Sequence, residues 1–503
     1  KHNLMEGPFA FIGHNSGISG DLGLNWQINE NHSLGMKMNY GGMLFGNQDI
    51  VFEDNVYAND ELIDIVHSAS HTTTPSSHTF TGNIYYDGNI NKLHVNFNAD
   101  FSDSGYKKET NVNENSQNDP AFIENLSDGV ARMGAGKLVL SYPIWKGQFK
   151  IGTEETYVSA KQEYNSTKTE IPSSKAKIAE NNISGFAEYA LPFKYVQVVA
   201  GIRYEHVNFE YTNECSPKDN INRTHNNWFP SFNASTKIGP VGINLGYTTK
   251  IKRPRYDQLS TEMQYNNRFL YQTGDPTLLN EIQNTLSLNA NWRWLTLTGA
   301  YEVVDNAIYQ LGYPYDDDCT AMVKYSNAKE TVRKLNIYLN ASPTIGIWNP
   351  RYTVGMEKQY FETTVIDPRE STGTRVVKRN DPMFFVQANN SFKLKQGWLI
   401  DLDYQYTSPF DYVMYKFTKP KHGLNLAVSK SFLKHDALNV RLAWNDILNK
   451  TKEHVCTDYG NFIHNQNNDY YSPSIQLRLS YRFNTANSKY KGTGAGADAK
   501  SRM

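Results

Sequence analysis

Residues 242–294 read GINLGYTTKIKRP, RYDQLSTEMQYNNRFLYQTGDPTLLNE and IQNTLSLNANWRW in succession. In the first part Ile243, Leu245 and Tyr247 alternate with Asn244 and Gly246. In the last, Leu286, Leu288, Ala290 and Trp292 alternate with Ser287, Asn289 and Asn291. Alternation with period two marks a strand with one apolar and one polar face. About 30 residues separate the two strands, far more than a hairpin turn holds. Two amphipathic strands joined by a long polar loop form the unit in which the rest of the chain can be read.

The unit recurs in both directions. Leu22, Leu24 and Trp26 lead through a polar turn at Asn29–Asn31 to Leu34, Met36, Met38 and Tyr40. Leu93, Val95, Phe97, Ala99 and Phe101 alternate with His94, Asn96, Asn98 and Asp100. Short turns are expected at Gly88–Asn91, Trp145–Gly147, Pro192–Lys194 and Gly239–Pro240. Between them lie long polar segments, expected as loops, at Gly46–Ser77, Gly105–Arg132, Arg253–Gln283 and Asp367–Asp381. Single long strands are expected over Ala321–Ala341 and Tyr412–Phe432, and a last one through Ile475, Leu477, Leu479, Tyr481 and Phe483. Strands of about 10 residues suit a tilted bilayer crossing. Short turns at one end and long loops at the other are the asymmetry of an outer-membrane barrel, and hydrocarbon demands that the sheet satisfy its own backbone.

Composition agrees. The 503 residues are 13% aromatic, with 33 Tyr and 24 Phe, yet only 39% hydrophobic. Mean hydropathy is −0.60. That excludes helical membrane spans and suits strands with a wet inner face. Fifty Lys and Arg balance 51 Asp and Glu, with no basic block, so no nucleic-acid partner is expected. Propeller and sandwich strands are shorter, about 5–6 residues. The reading is therefore all-β: a transmembrane antiparallel up-and-down barrel of about 20–22 strands, with long extracellular loops and short periplasmic turns.

Chemistry-bearing patterns are few. His67 and His71 are four apart without the HExxH context, and read as solvated loop histidines. Asp316, Asp317 and Asp318 beside Cys319 lack the spacing of a calcium loop. His454 and Cys456 have no third orienting group. Cys215, Cys319 and Cys456 are odd in number and far apart, which argues against a disulfide framework or a zinc site. No enzyme activity, metal or cofactor is expected. Trp26, Trp292, Trp294, Trp398 and Trp444 read as interfacial anchors. The loop aromatics Tyr265, Phe269 and Tyr271 are the candidates for ligand stacking.

The stretch TTKIKRPRYDQLS followed by YQTGDPTLLNEIQNTLSLNANW resembles the barrel of TonB-dependent receptors, in particular the outer-membrane β-barrel family abundant in Bacteroidota. Arg253, Pro254, Leu259 and Ser260 match the first half of that pattern; Gly274, Pro276 and Leu278 match the second, with Asp275 where Asn is usual and Glu281 close behind. KYSNAKETVRKLNIYLNA resembles the next long strand, with Asn327 at its characteristic place and Lys334 where Gly is common. LRLSYRF and the KYKGTGAG tail resemble the C-terminus. Arg253, Pro254, Leu259, Gly274 and Pro276 are expected to shape the loop, since Pro presets φ and Gly permits turns.

The resemblance implies a nutrient-uptake transporter or receptor in the outer membrane of a Gram-negative bacterium, with iron chelate, glycan and peptide all open as ligand. The alternative is a structural barrel or passive pore without TonB coupling. Residues 1–484 are expected to be barrel, without the N-terminal plug and first strands of the family, and 485–503 a flexible tail. Lipid is the certain partner. TonB would act through a plug that this chain does not show, and a surface lipoprotein partner is compatible with the family.

Overall fold

The computed structural model describes residues 3–117, 120–315, 321–367, 369–469, 473–483 and 490–503. Its main feature is one 24-stranded sheet. Five of these strands (Thr374–Arg379, Phe410–Tyr412, Tyr415–Phe417, Glu453–Asp458 and Phe462–Asp469) lie within the long connections. The remaining nineteen follow chain order around a wall, each antiparallel to the next, from Asn3–Asn29 to Ser474–Tyr481. The up-and-down barrel wall read from the alternation is what the chain builds.

Side chains take the sides that the alternation assigns. Leu245, Leu286, Leu288, Leu297, Ile337 and Leu339 are exposed on the outer, lipid-facing surface. Cross-strand pairs carry the band from strand to strand: Leu245 faces Leu288, which faces Gly299. Inward residues bond to one another, as where Thr298 Oγ1 donates to Asn289 Oδ1 at 2.9 Å. Trp292 and Trp294 stand exposed at the Arg293 turn, and Trp26 and Trp398 lie near other short turns. Trp444 lies at the opposite end of its strand, so aromatic anchors mark both rims.

The wall is unequal in height. His32–Ala58 has 27 residues and Glu61–Ile90 has 30, whereas Glu281–Trp292 has 12 and Ser474–Tyr481 has 8. At about 3.3 Å per residue the longest strands reach far beyond a hydrocarbon core of about 30 Å. The expected loops Gly46–Ser77 and Gly105–Arg132 are therefore wrong as loops. Gly46–Ala58 pairs with Glu61–Thr74, and Gly105–Glu114 pairs with Ala121–Val130. The turn Asn59–Asp60 has φ of 50° and 68°, the left-handed pair that closes a two-residue hairpin. Above the membrane the outer face of these strands meets water, while the inner face packs on the connections with polar and apolar residues mixed (Asp54, Val56, Asp64, Val66, Ser68), so the apolar stripe that identifies a strand is missing.

Two other expectations fail for a related reason. Ala321–Ala341 is two strands, Ala321–Asn327 and Val332–Ala341, and Tyr412–Phe432 is broken into shorter pieces. Ala321–Asn327 leaves the wall to join a separate four-stranded sheet with Ile308–Pro314, Leu270–Thr273 and Met263–Asn267. This sheet combines two loops that are distant in sequence, and its central pairing, Leu270–Thr273 on Ala321–Lys324, is parallel. It forms a plate inside the extracellular end. The first and last wall strands run in the same direction. Among the described residues the circuit is joined high on the extracellular side, where Asn3–Ala10 pairs in parallel with Phe462–Asp469.

The expected flexible tail is, over residues 490–503, an ordered segment inside the wall, with Ala495, Ala499 and Arg502 buried. Its glycines and charges suggested disorder. They serve instead as backbone and ionic contacts to the lumen face.

The lipid-facing assignment makes a direct prediction. Leu288→Arg should cost roughly 2–4 kcal/mol of stability in urea titrations of the lipid-reconstituted protein. Ser287→Arg, one residue along on the lumen side, should leave the titration midpoint largely unchanged.

Candidate functional site

The loop 253–280 is built by the residues singled out in the sequence. Arg253 ends its strand and is buried, its guanidinium bonded to Glu205. Pro254 precedes the short helix Tyr256–Leu259, whose start is capped by the Arg255 amide donating to Gln258 Oε1 at 2.9 Å. Leu259 is almost wholly buried and packs with Tyr256, Leu278, Met133 and Val158. Gly274 returns the chain against that helix: a Cβ there would come within 2.4 Å of the Gln258 and Ser260 carbonyl oxygens. The Asp275 amide donates to the Gln258 carbonyl at 2.7 Å, and Asp275 Oδ1 accepts from the Thr277 amide at 2.8 Å. Asn327 ties this loop to the next one, donating to the Leu279 and Asn306 carbonyls and accepting from the Leu279 amide at 2.8 Å.

Fixed in this way, the loop and the plate enclose a cavity of about 550 Å³ against the extended wall. The wall supplies Gln48, Thr72, Tyr106, Lys108, Asn125, Gln162 and Tyr164. The loop supplies Asp257, Ser260, Glu262, Gln264, Tyr265 and Gln272. Gln310, Tyr325, Tyr415, Tyr459, His464 and Gln466 complete it from later connections. The lining is dominated by tyrosines, amides and hydroxyls, with Lys108, Asp257 and Glu262 among its ionisable groups. Gln162 Oε1 and His464 Nε2 are buried without a hydrogen-bond partner among the described residues. Both residues belong to the cavity lining, and buried polar atoms seldom stay unpaired.

The outer membrane protein beta-barrel family matches residues 86–481. The chain belongs to that family. No curated protein matches it. Among solved structures it is similar to the copper transporter OprC, at 10% identity and a TM-score of 0.58, over 89% of this chain and 74% of that one. It is similar to the FrpB iron transporter from Neisseria meningitidis (F3-3 variant), at 11% identity and 0.54, over 96% and 82%. It is also similar to a double mutant of the Serratia marcescens hemophore receptor HasR, at 12% and 0.52, over 95% and 80%. At these identities the likeness establishes the fold, that of outer-membrane transporters and receptors. The outer-membrane β-barrel family read from Arg253–Trp294 and the assignment to the Gram-negative outer membrane stand on the family match.

Within the family barrel, the three candidate aromatics part company. Tyr265 lines the cavity, with its hydroxyl donated to Glu114 Oε2 at 2.8 Å. Phe269 is buried in a core with Met5, Val56, Val66 and Phe462. Tyr271 is buried between the rings of Tyr265 and Tyr315, at 5.4 and 5.2 Å. Sequence reasoning missed Tyr106, Tyr164, Gln162 and His464, which belong to three separate strands. It read 46–77 and 105–132 as loops, and so lost the alternation that aims Tyr106 inward.

The remaining candidates resolve simply. His67 and His71 lie on a strand, not a loop, facing Glu53 and Asp49 across the ladder at 3.5 and 2.6 Å. Burial raises the Cys456 thiol pKa, so His454 and Cys456 are not an activated pair. Among the described residues Cys215 and Cys456 form no disulfide. Asp316–Cys319 lie outside the described residues. In the loop 367–381, Asp367 is held well below the carboxylate range by its bond to Arg369, then by Arg375. Arg375 also forks onto Asp458 at 2.8 and 3.0 Å, joining two extracellular connections.

Two titrating groups of the cavity pull in opposite directions. Enclosure raises Glu262 from 4.5 to about 7, with Lys108 and the Ser127 hydroxyl opposing the rise. Burial lowers His464 from 6.5 to about 4. The folded cavity thus holds Glu262 protonated where the unfolded chain would release the proton, so Glu262 subtracts stability as pH rises from 4.5 through about 7. His464 stays neutral where the unfolded chain would bind a proton, so it subtracts stability as pH falls from 6.5 through about 4. Hydrogen exchange of residues 256–273 should therefore quicken on both sides of a weakly acidic optimum. Glu262→Gln should abolish the alkaline limb alone and His464→Gln the acidic limb alone. Two limbs unchanged by either substitution would refute the assignment.

Proposed function

We propose that this chain is the wall and ligand-selecting mouth of a TonB-dependent outer-membrane uptake receptor. The observation that carries the reading is the cavity between the plate and the extended strands. It lies at the extracellular end, has the volume of a small-molecule site and is lined by tyrosine, amide and hydroxyl side chains. A passive pore needs no such enclosure. A wall of tyrosine faces with amide and hydroxyl edges bonds neutral hydroxyl- or amide-bearing ligands by stacking and hydrogen bonds. Tyr265 and Tyr164 contribute ring faces, since their hydroxyls are engaged, while Gln162 and His464 contribute polar edges. Lipid surrounds the wall. Contact with TonB would pass through a plug on the periplasmic side, and a surface lipoprotein could cover the plate.

The test is binding and conductance on the same preparation. A maltooligosaccharide, a neutral tripeptide and a ferric siderophore are titrated calorimetrically, and the barrel is placed in a planar bilayer. Saturable binding of one probe, weakened about tenfold or more by Gln162→Ala or Tyr164→Ala, is expected, as for loss of one or two well-made contacts. A large, steady conductance with no saturable binding of any probe would establish the open-pore alternative.

A further inference from the structure

The inner face of the wall carries carboxylates that neither the cavity nor the lipid contact uses. Asp100, Glu154, Glu180 and Glu205 project from four strands, Leu93–Asn115, Gly147–Ser166, Ser174–Pro192 and Val196–Asn213. Asp100, Glu180 and Glu205 are buried. An array of buried acids on a lumen wall is costly unless it is met by donors. Glu205 is met by Arg253 and Arg203; for Asp100, Glu154 and Glu180 the donors come from the far end of the same polypeptide. Arg502 forks onto Glu180 at 2.6 and 3.1 Å, and Lys500 bonds Asp100. The Ala495 amide donates to Asp100 at 2.9 Å and the Gly496 amide to Glu154 at 2.7 Å. Lower down, the Thr493 and Gly494 amides share Asn98 Oδ1 at 3.1 and 3.0 Å.

These contacts rise in order along the wall, from Asn98 near the short turn to Glu180 well above it. Gly494 and Gly496 have φ of 75° and 65°, and a Cβ on Gly496 would fall 2.7 Å from Met133 Sδ. The segment therefore approaches the wall in a conformation that glycine permits and other residues resist. At its upper end it grips the cavity's floor. Asp498 bonds Arg253 at 2.7 Å, Arg502 Nε donates to the Pro254 carbonyl at 3.0 Å, and the Arg502 guanidinium lies 4.6 Å from the Tyr256 ring centre. Ala499 packs in the same core as Tyr256 and Leu259. On the shared strands the cavity residues lie farther from the short turns: Tyr106 beyond Asp100, and Gln162 beyond Glu154.

We propose that the acidic face of the lumen is a binding groove for a basic, glycine-rich peptide, and that its occupant is the chain's own segment Tyr490–Met503. So placed, the segment straps the helix Tyr256–Leu259 from the periplasmic side and holds the floor of the extracellular cavity. The groove and its occupant stand whether or not the cavity binds a nutrient.

Carboxypeptidase digestion of the full chain in detergent, followed by intact-mass spectrometry, tests this. The native C-terminus should be trimmed far more slowly than that of the urea-unfolded protein. Glu180→Arg should speed the loss of Met503 and Arg502 by about tenfold or more, as breaking a buried ion pair exposes the strap. Glu180→Arg combined with Arg502→Glu should restore most of the protection. Hydrogen exchange of residues 256–259 should quicken in the single variant and recover in the double one. Should Glu180→Arg fail to fold, Arg502→Met provides the same exchange readout in a barrel whose heat-modifiable gel mobility shows that it is folded. Native trimming at the unfolded rate, or trimming and exchange indifferent to these substitutions, would overturn the proposal.

Discussion

A peptide group in hydrocarbon has no water to bond, and the rest of this structure depends on that constraint. It forces the chain into a continuous ladder and sets the alternation of Leu245, Leu288 and their neighbours against lipid. It also places turns such as Arg293–Trp294 where the ladder may end. The polar inner face follows, because the residues between the lipid-facing ones must point into the lumen. Once the inner face is polar, it can be put to use. The same strands that satisfy their backbone in the membrane present asparagines, acids and tyrosines inward at successive heights.

Those heights divide the lumen into layers. Nearest the short turns, the Asn98 side chain accepts from two backbone amides of the C-terminal segment. Above them a band of carboxylates receives its lysine, arginines and amides. Higher still, tyrosines and amides surround the cavity, and the plate closes it over. Arg253 stands at the junction of the layers, bonded to a wall acid below the loop and to Asp498 of the tail. The Arg253–Pro254 and Gly274–Asp275–Pro276 elements shape the loop without lining the cavity themselves, Gly274 excepted, and so support the site from beneath.

The long strands of the first half explain why the cavity is deep. Gly46–Ala58 and Gly105–Asn115 lift side chains such as Gln48, Tyr106 and Lys108 above the membrane while keeping them on a rigid ladder. A site on strands is held more closely in place than one on free loops, because each residue is fixed by two neighbours. The later connections are folded too. They pair with one another in the plate, and Arg375 clamps Asp367 to Asp458.

The sequence by itself determined the wall: its all-β class, its lipid-facing residues, its turns and its family, because strand alternation is local and the loop motif at Arg253–Pro276 is contiguous. It also pointed to the right loop, though only Tyr265 of its three aromatics reached the cavity. The tertiary structure alone decided three things. It showed that Gly46–Ser77 and Gly105–Arg132 are strands, since water on the outer face and mixed polar and apolar packing on the inner one erase the apolar period. It joined residues 263–273 to 308–327, a pairing that depends on distance in space. It also seated the glycine-rich tail against acids on three strands. No local pattern can announce such a fit, since its energy comes from groups hundreds of residues apart brought together only when the wall has formed.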